Sequence, residues 1–327
     1  MNTIRNIGRA AVAAAAASMI AFGAGAQPSY PERPVRLIVG APAGQSSDIM
    51  ARLLAARVAE YIGQPIVVDN RPGAGGIIGL EAARSAEPDG YTFVMATGAN
   101  MAINPSLYRK LPYDSVADFD PVVTVVSSPL FMFTAAATPI ASARQIPAYV
   151  AARGGQVAYG SNGNGGTPHI AMEMFKKAAN VDMLHVPYKG TPPLITDVIA
   201  ERVAFAFDAG PSVLPLVRDG PVKLLGVGST ERTAVAPEVP TLAEQGFTGF
   251  SATTWAAVYA PKGTPAQAID TMNAAFNRAL KDPAVIAELN TRGAQPVGGT
   301  AAELRDFQQT EMARWGEAVR ASGARVD

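Results

Sequence analysis

Cysteine is absent from the 327 residues of the chain, which excludes thiol catalysis, iron–sulfur clusters, Cys-ligated zinc and disulfides. Histidine is nearly absent too. His169 and His185 are the only two, so a multi-histidine metal site has almost no material, and a Ser-His pair must use one of them. No metal and no cofactor is expected. Charge of one sign is lacking: 27 Lys+Arg balance 27 Asp+Glu, and no basic field for nucleic acid arises. A Walker-A lysine pattern and a GxSxG nucleophile elbow are missing. Beyond the N-terminus no run approaches the ~20 apolar residues that span a bilayer. What is present is a chain 48% hydrophobic and 17% charged, too apolar for disorder and long enough for two packed α/β domains.

The N-terminus has the grammar of export. Arg5 and Arg9 form a positive n-region, residues 10–22 are small and apolar, and Ala24-Gly25-Ala26 offers a small-x-small cleavage site. The alternative, a membrane anchor, needs a longer apolar run. The expectation is a signal peptide over 1–26, a mature chain from Gln27, and a periplasmic destination. Removal of Arg5 and Arg9 leaves 25 basic against 27 acidic residues.

Two stretches share one grammar. Val35–Val39 reads as a buried strand, followed by the loop Gly40-Ala41-Pro42-Ala43-Gly44-Gln45-Ser46-Ser47. A helix over 48–62 carries Met50, Leu54, Val58 and Tyr61 at helical spacing, Gly63 stops it, and 66–68 is the next strand. About 120 residues on, a strand over 156–159 feeds Gly160-Ser161-Asn162-Gly163-Asn164-Gly165-Gly166-Thr167-Pro168, then a helix over 169–179 and a strand over 181–186. Helices are expected over 265–280, 283–292 and 301–322, with Pro265 and Pro283 in first-turn positions. Alternating strands and helices argue for parallel sheets covered on both faces.

In open α/β sheets ligands bind beyond the carboxyl ends of strands, where both loops lie. Helix N-termini there attract anions, and glycine allows close backbone approach. Ordinary turns with Ser47, Asp48 or Thr167 as caps explain one such loop equally well. Two of them in an exported protein favour a small anion gripped from both ends. Other features read as decoys. The run from Arg71 to Gly79 mimics a dinucleotide fingerprint, but its spacing is not GxGxxG. Ser161 and His169 stand eight residues apart with no strained elbow. His185 reads as a structural histidine. Lys189 suits either a ligand carboxylate or an acid at the loop base, and Trp255 and Tyr259 suit the core.

Read together and in order, these blocks resemble the periplasmic solute-binding subunits of tripartite tricarboxylate transporters, the Bug family. The resemblance runs from about Tyr30 to the C-terminus. It is carried by Tyr30-Pro31-Glu32-Arg33-Pro34-Val35, Gly44-Gln45-Ser46-Ser47-Asp48, and Val68-Asp69-Asn70-Arg71-Pro72-Gly73-Ala74-Gly75-Gly76. Pro88-Asp89-Gly90-Tyr91-Thr92, Ile103-Asn104-Pro105, Tyr159-Gly160-Ser161-Asn162-Gly163-Asn164-Gly165, Val186-Pro187-Tyr188-Lys189-Gly190 and Pro240-Thr241-Leu242-Ala243-Glu244 complete it.

The resemblance implies an α/β, two-lobe periplasmic binding protein (type II-like) with a hinge and an interlobe cleft. Lobe 1 is expected from 27–128 plus 251–327, and lobe 2 from 129–250. Ligand contacts carry over to Ala43, Gly44, Ser46, Ser47 and Asp48 on one side. On the other they fall on Ser161, Asn162, Gly163, Asn164, Gly165, Gly166 and Thr167, with Asn100 and Asp208 bordering the cleft. The chain departs from the family where Gln45 replaces a frequent Gly and Asn100-Met101 a frequent Thr-His. The implied function is capture of a mono- or dicarboxylate by a monomer, without catalysis, for delivery to integral membrane transporter subunits. A sensor kinase is a further possible partner, and nucleic acid is not. The competing reading is an exported hydrolase or lyase using Ser161 and His169.

Overall fold

Val35, Leu37 and Val39 point to one face of the first strand and Ile38 to the other, the period-two alternation of a buried strand. This strand, β1 (Val35–Val39), opens a computed structural model that describes residues 30–218, 220–322 and 325. The expected signal peptide lies outside the described residues. From β1 the chain enters α1 (Ser46–Ile62), which Gly63 ends in the left-handed conformation, its N–H on the Ala59 carbonyl. β2 (Ile66–Asn70), α2 (Ile77–Arg84) and β3 (Thr92–Thr97) follow. A π-turn at Ala99–Ile103 leads into α3 (Asn104–Leu107). β1 pairs in parallel with both β2 and β3.

The pivotal element is β4 (Phe119–Ala135), 17 residues long. After it come α4 (Ile146–Ala151), β5 (Ala158–Ser161), α5 (Thr167–Ala179), β6 (Leu184–Pro187), α6 (Thr191–Ile199), β7 (Phe205–Ala209), α7 (Gly210–Arg218) and β8 (Val222–Val227). The chain returns through β9 (Thr253–Pro261), α8 (Ala266–Leu280), α9 (Pro283–Thr291), β10 (Gln295–Gly298) and α10 (Ala301–Ser322). Strand order is β2-β1-β3-β9-β4-β7-β5-β6, with β8 and β10 also on β4. β4 pairs with β9 from Phe119 to Pro129, then with β7 and β8 from Leu130 to Ala135. One strand therefore belongs to two sheets, and the architecture is two lobes sharing β4.

Each lobe buries both faces of its sheet, as parallel strands require. Around β1, one face carries Met50, Leu54 and Val58 of α1 with Met272 and Phe276 of α8; the other carries Ile77 and Leu80 of α2 with Trp255 and Trp315. Around the far half of β4, Leu130 and Met132 meet Met172 and Phe175 of α5, while Phe131 and Phe133 meet Leu194 and Val198 of α6. Trp255 and Tyr259 are core residues, 3% and 1% exposed. Their polar tips are satisfied: Trp255 Nε1 donates to Glu311 at 2.9 Å and the Tyr259 hydroxyl to Gln308 at 3.1 Å. Among the described residues no helix is long and apolar enough to cross a membrane.

Candidate functional site

The parallel strands end on one side of each sheet, and their following helices begin there. A cleft of about 910 Å³ lies between the lobes at this point, lined by residues of both. Five α-helix starts reach it: Ser46 and Ser47 of α1, Gly76 before α2, Gly166 to Pro168 at α5, Gly190 before α6, and Ala209 before α7. First-turn N–H groups have no intrahelical partner, and the peptide dipoles add partial positive charge. For α1, α2, α5 and α6 no cap side chain takes up those N–H groups, although Pro168 in α5 and Pro192 and Pro193 in α6 have none to offer. The wall is therefore electropositive with little formal charge. Among the described residues its ionisable lining residues are Tyr108, Tyr188, Lys189 and Asp208.

Of the residues expected from sequence, Ser46, Ser47, Asn100, Asn162 and Gly163 line the cleft. So do Asn164, Gly166, Thr167 and Asp208. Ala43, Gly44, Asp48, Ser161 and Gly165 do not line it, and three of these five have clear positioning roles. Asp48 is buried: Oδ2 accepts from the Gly44 N–H at 2.9 Å, and Oδ1 from Arg52 and Asn70, each at 2.9 Å. Burial pushes its carboxyl pKa up, but those three donors outweigh it and hold the group below its ordinary range. Asp48 thus shapes the first loop. Gly165 donates to Nδ1 of His169 at 3.1 Å, which pins the second loop back onto α5.

Ser161 is wholly buried; its Oγ donates to the Gly163 carbonyl at 3.0 Å, and its side-chain partner is His185 (Oγ to Nε2 2.7 Å), not His169. The Ser161/His169 pair of the hydrolase reading does not form. The Ser161–His185 contact is no substitute, because a nucleophile must reach the cleft, and no carboxylate is hydrogen-bonded to His185 among the described residues. The two imidazoles stack at 4.0 Å, and His185 stacks on Tyr159 at 4.9 Å. Burial above all lowers both pKa values to about 4, helped by Lys176 at His169 and by His169 and Lys176 at His185.

The run after β2, read as a decoy, is part of the wall. Gly73, Ala74, Gly75 and Gly76 line the cleft and all have positive φ, a conformation costly for side chains other than glycine's. Asn100 explains how the run is held. Its Nδ2 donates to the Gly75 carbonyl at 2.7 Å, while its Oδ1 accepts from the Thr97 N–H and hydroxyl at 3.2 and 2.9 Å. A Cβ on Gly76 would meet Asn100 Nδ2 at 2.6 Å. Asn100 is therefore spent on positioning. By contrast, among the described residues the Ser47, Tyr108, Gln45 and Asn162 side chains have no hydrogen-bond partner and remain available to a ligand. Lys189 lines the rim, exposed, with no acid paired to it among the described residues. Across the opening Ser46 Oγ lies 2.6 Å from Ser212 Oγ, and Thr167 Oγ1 lies 3.5 Å from Thr254 Oγ1.

Asp208 ends β7 at 2% exposure. Thr191 Oγ1 donates to Oδ2 at 2.5 Å and the Ala209 N–H to Oδ1 at 2.7 Å. Desolvation raises its pKa to about 6 against these two donors.

Sequence reasoning missed the Gly73–Gly76 wall, Tyr108, Tyr188, Thr97 and Thr254. The position of the glycine run directly after a strand was the one available signal.

Comparison with known proteins agrees with the two-lobe α/β fold. Residues 50–324 match the family described as tripartite tricarboxylate transporter family receptor. The chain is 38% identical over 299 residues to Protein BugT of Bordetella pertussis, covering 91% of this chain and 92% of that one. A Rhodopseudomonas palustris protein solved with adipate superposes with a TM-score of 0.89 at 32% identity, over 91% of this chain and 100% of that one. MatC from the same organism, solved with bound malate, gives 0.84 at 29% identity, over 89% and 100%.

Proposed function

The chain belongs to the tripartite tricarboxylate transporter receptor family, and on that premise we propose that it captures a small carboxylate in the interlobe cleft and presents it to membrane transporter subunits. The observation that carries the reading is the convergence, among the described residues, of five helix N-termini on one cleft with a single lysine at its rim. Main-chain N–H groups hold an anion without a buried ion pair, whose desolvation would cost more and slow release. The relatives solved with adipate and malate support the carboxylate class. Ser46, Ser47, Asn162, Gly163, Asn164, Gly166 and Thr167 are the contacts proposed, with Asn100, Asp48 and Gly165 shaping the loops that carry them.

The lobe boundaries proposed are 27–128 plus 251–327 and 129–250. The exchange of β4 partners between Pro129 and Leu130, and the start of β9 at Thr253, support them. Export with cleavage after Ala26 is supported by the charge and apolar pattern of residues 1–26 and by the family's periplasmic role.

The test is a thermal-shift panel on the mature chain, refolded from denaturant and challenged with mono-, di- and tricarboxylates, amino acids and aromatic acids. A ligand at ~100 times its Kd adds about 2.7 kcal/mol. Ser47→Ala should weaken the best carboxylate by about 1–2 kcal/mol, the scale of one hydrogen bond. A panel without carboxylate response, or Ser47→Ala binding as well as the parent, refutes the reading.

A further inference from the structure

Resting on the carboxylate reading above, we propose that the ligand also carries a hydrogen-bond donor, a hydroxyl or an ammonium, that meets Asp208, so that the protein selects hydroxy or amino acids over plain carboxylic acids.

Among the described residues Asp208 is the one acidic residue lining a cleft that is otherwise built to attract anions. Its two hydrogen bonds come from donors, the Thr191 hydroxyl and the Ala209 N–H. The Ala209 N–H can only donate, so Oδ1 serves there as an acceptor. A carboxylate has about four acceptor positions, and these two partners fill two. No cation pairs with Asp208 among the described residues; the one lining cation, Lys189, is exposed at the rim. A carboxylate 98% removed from water, held by these two donors at the N-termini of α6 and α7 and paired with no cation, still has free acceptor positions facing the space a ligand fills, and a donor there would satisfy them.

A plain diacid makes this worse, because its second carboxylate adds negative charge beside Asp208. A carboxylate with a neighbouring hydroxyl or ammonium resolves it. The acid group goes to the helix N-termini, and the donor goes to Asp208. This division also gives selectivity with a sign. A site that holds a buried acceptor rejects a ligand lacking the matching donor far more strongly than a hydrophobic pocket rejects a missing methylene.

A purely structural role for Asp208 would be to tie the start of α6 to the end of β7 through Thr191. Asp208→Asn separates the two roles. The asparagine keeps its shape and its acceptor toward Ala209, and the Thr191 hydroxyl can turn to accept from the new amide.

The experiment is titration calorimetry at pH 7.5 on the refolded mature protein with three matched triads. These are propionate, lactate and alanine; succinate, malate and aspartate; and glutarate, 2-hydroxyglutarate and glutamate. Within the triad that fits the cleft, the hydroxy or the amino member should bind at least tenfold more tightly than the plain acid, and which of the two leads identifies the donor. Asp208→Asn should reduce that preference to twofold or less and leave the plain acid unchanged or tighter. Equal affinity across the fitting triad in the parent overturns the proposal while leaving the carboxylate reading standing. Equal weakening of all three members by Asp208→Asn overturns it as well and assigns Asp208 a structural role. Binding of none of the nine acids, nor of any carboxylate in the thermal panel, removes both readings together.

Discussion

Acid should loosen the loop from Ser161 to Gly166 through the stacked histidines behind it. His169 accepts the Gly165 N–H on Nδ1, and His185 Nε2 meets Ser161 Oγ. A proton on Nδ1 of His169 removes the acceptor and places a cation against a second imidazole 4.0 Å away. Lys176 of α5 opposes protonation of both rings, and Glu173 on the same helix favours it for His185. Burial dominates and holds His169 near 4, against 6.5 in the unfolded chain. Between those values the unfolded state binds the additional proton, so the contribution to stability is complete above pH 6.5, declines as pH falls toward 4, and is flat below. For His169 alone the gap corresponds to about 3 kcal/mol. A chain of about 300 residues that unfolds as one unit changes its Tm by about 5 °C for that energy. The assay is thermal melting of the parent and His169→Asn from pH 7.5 to 4, because an Asn Oδ1 can still accept from Gly165 but does not titrate. Carboxylates elsewhere contribute equally to both curves. The parent should lose about 5 °C more than the variant across the window; superimposable losses would refute the argument.

Two further outcomes follow from the cleft. Gly76→Ala should destabilise the fold by about 1–3 kcal/mol in urea unfolding, since it combines φ +92° with a Cβ 2.6 Å from Asn100 Nδ2, and should also abolish ligand response. A variant as stable as the parent would mean that the loop relaxes freely. X-ray scattering should give a smaller radius of gyration with ligand than without, because the cleft rims that meet at Ser46 and Ser212 must part for entry. An unchanged radius in a sample proven to be bound would contradict closure.

The elements legible in the sequence are those set by short-range patterns. β1 lies where its apolar run lies, α1 ends at Gly63, and α10 spans residues 301–322 as read. The strand before the second loop sits two residues later than the pattern placed it, at Ala158–Ser161, and α5 begins at Thr167 rather than at residue 169. Those shifts move Ser161 from loop to strand end, which is why it is buried. β4 escaped sequence reading because its 17 residues owe their extension to partners far along the chain, β9 and β7 above all. The Gly73–Gly76 run carries no charge and no nucleophile, so only its place at the end of β2 points to the cleft. Asp48, in the first turn of α1, and Gly165, in the second loop, belong to the right segments, but their polar groups face inward, a distinction that depends on three-dimensional partners and not on residue type.

A grip made by helix N-termini has a consequence for how such a receptor can change. Main-chain N–H groups are present whatever residue is encoded, proline excepted, so substitution in the loops keeps the main-chain part of the grip as long as the backbone keeps its course and removes only side-chain contacts such as that of Ser47. The positions that fix that course, Asn100, Asp48, His169 and the positive-φ glycines, are the ones where change is costly. Gln45, Asn162, Tyr108 and Lys189 line the same space without holding the loops. Asp208 apart, fold maintenance and ligand choice thus fall on separate sets of residues, and a duplicated copy of this chain can acquire a new ligand at the second set without endangering the first.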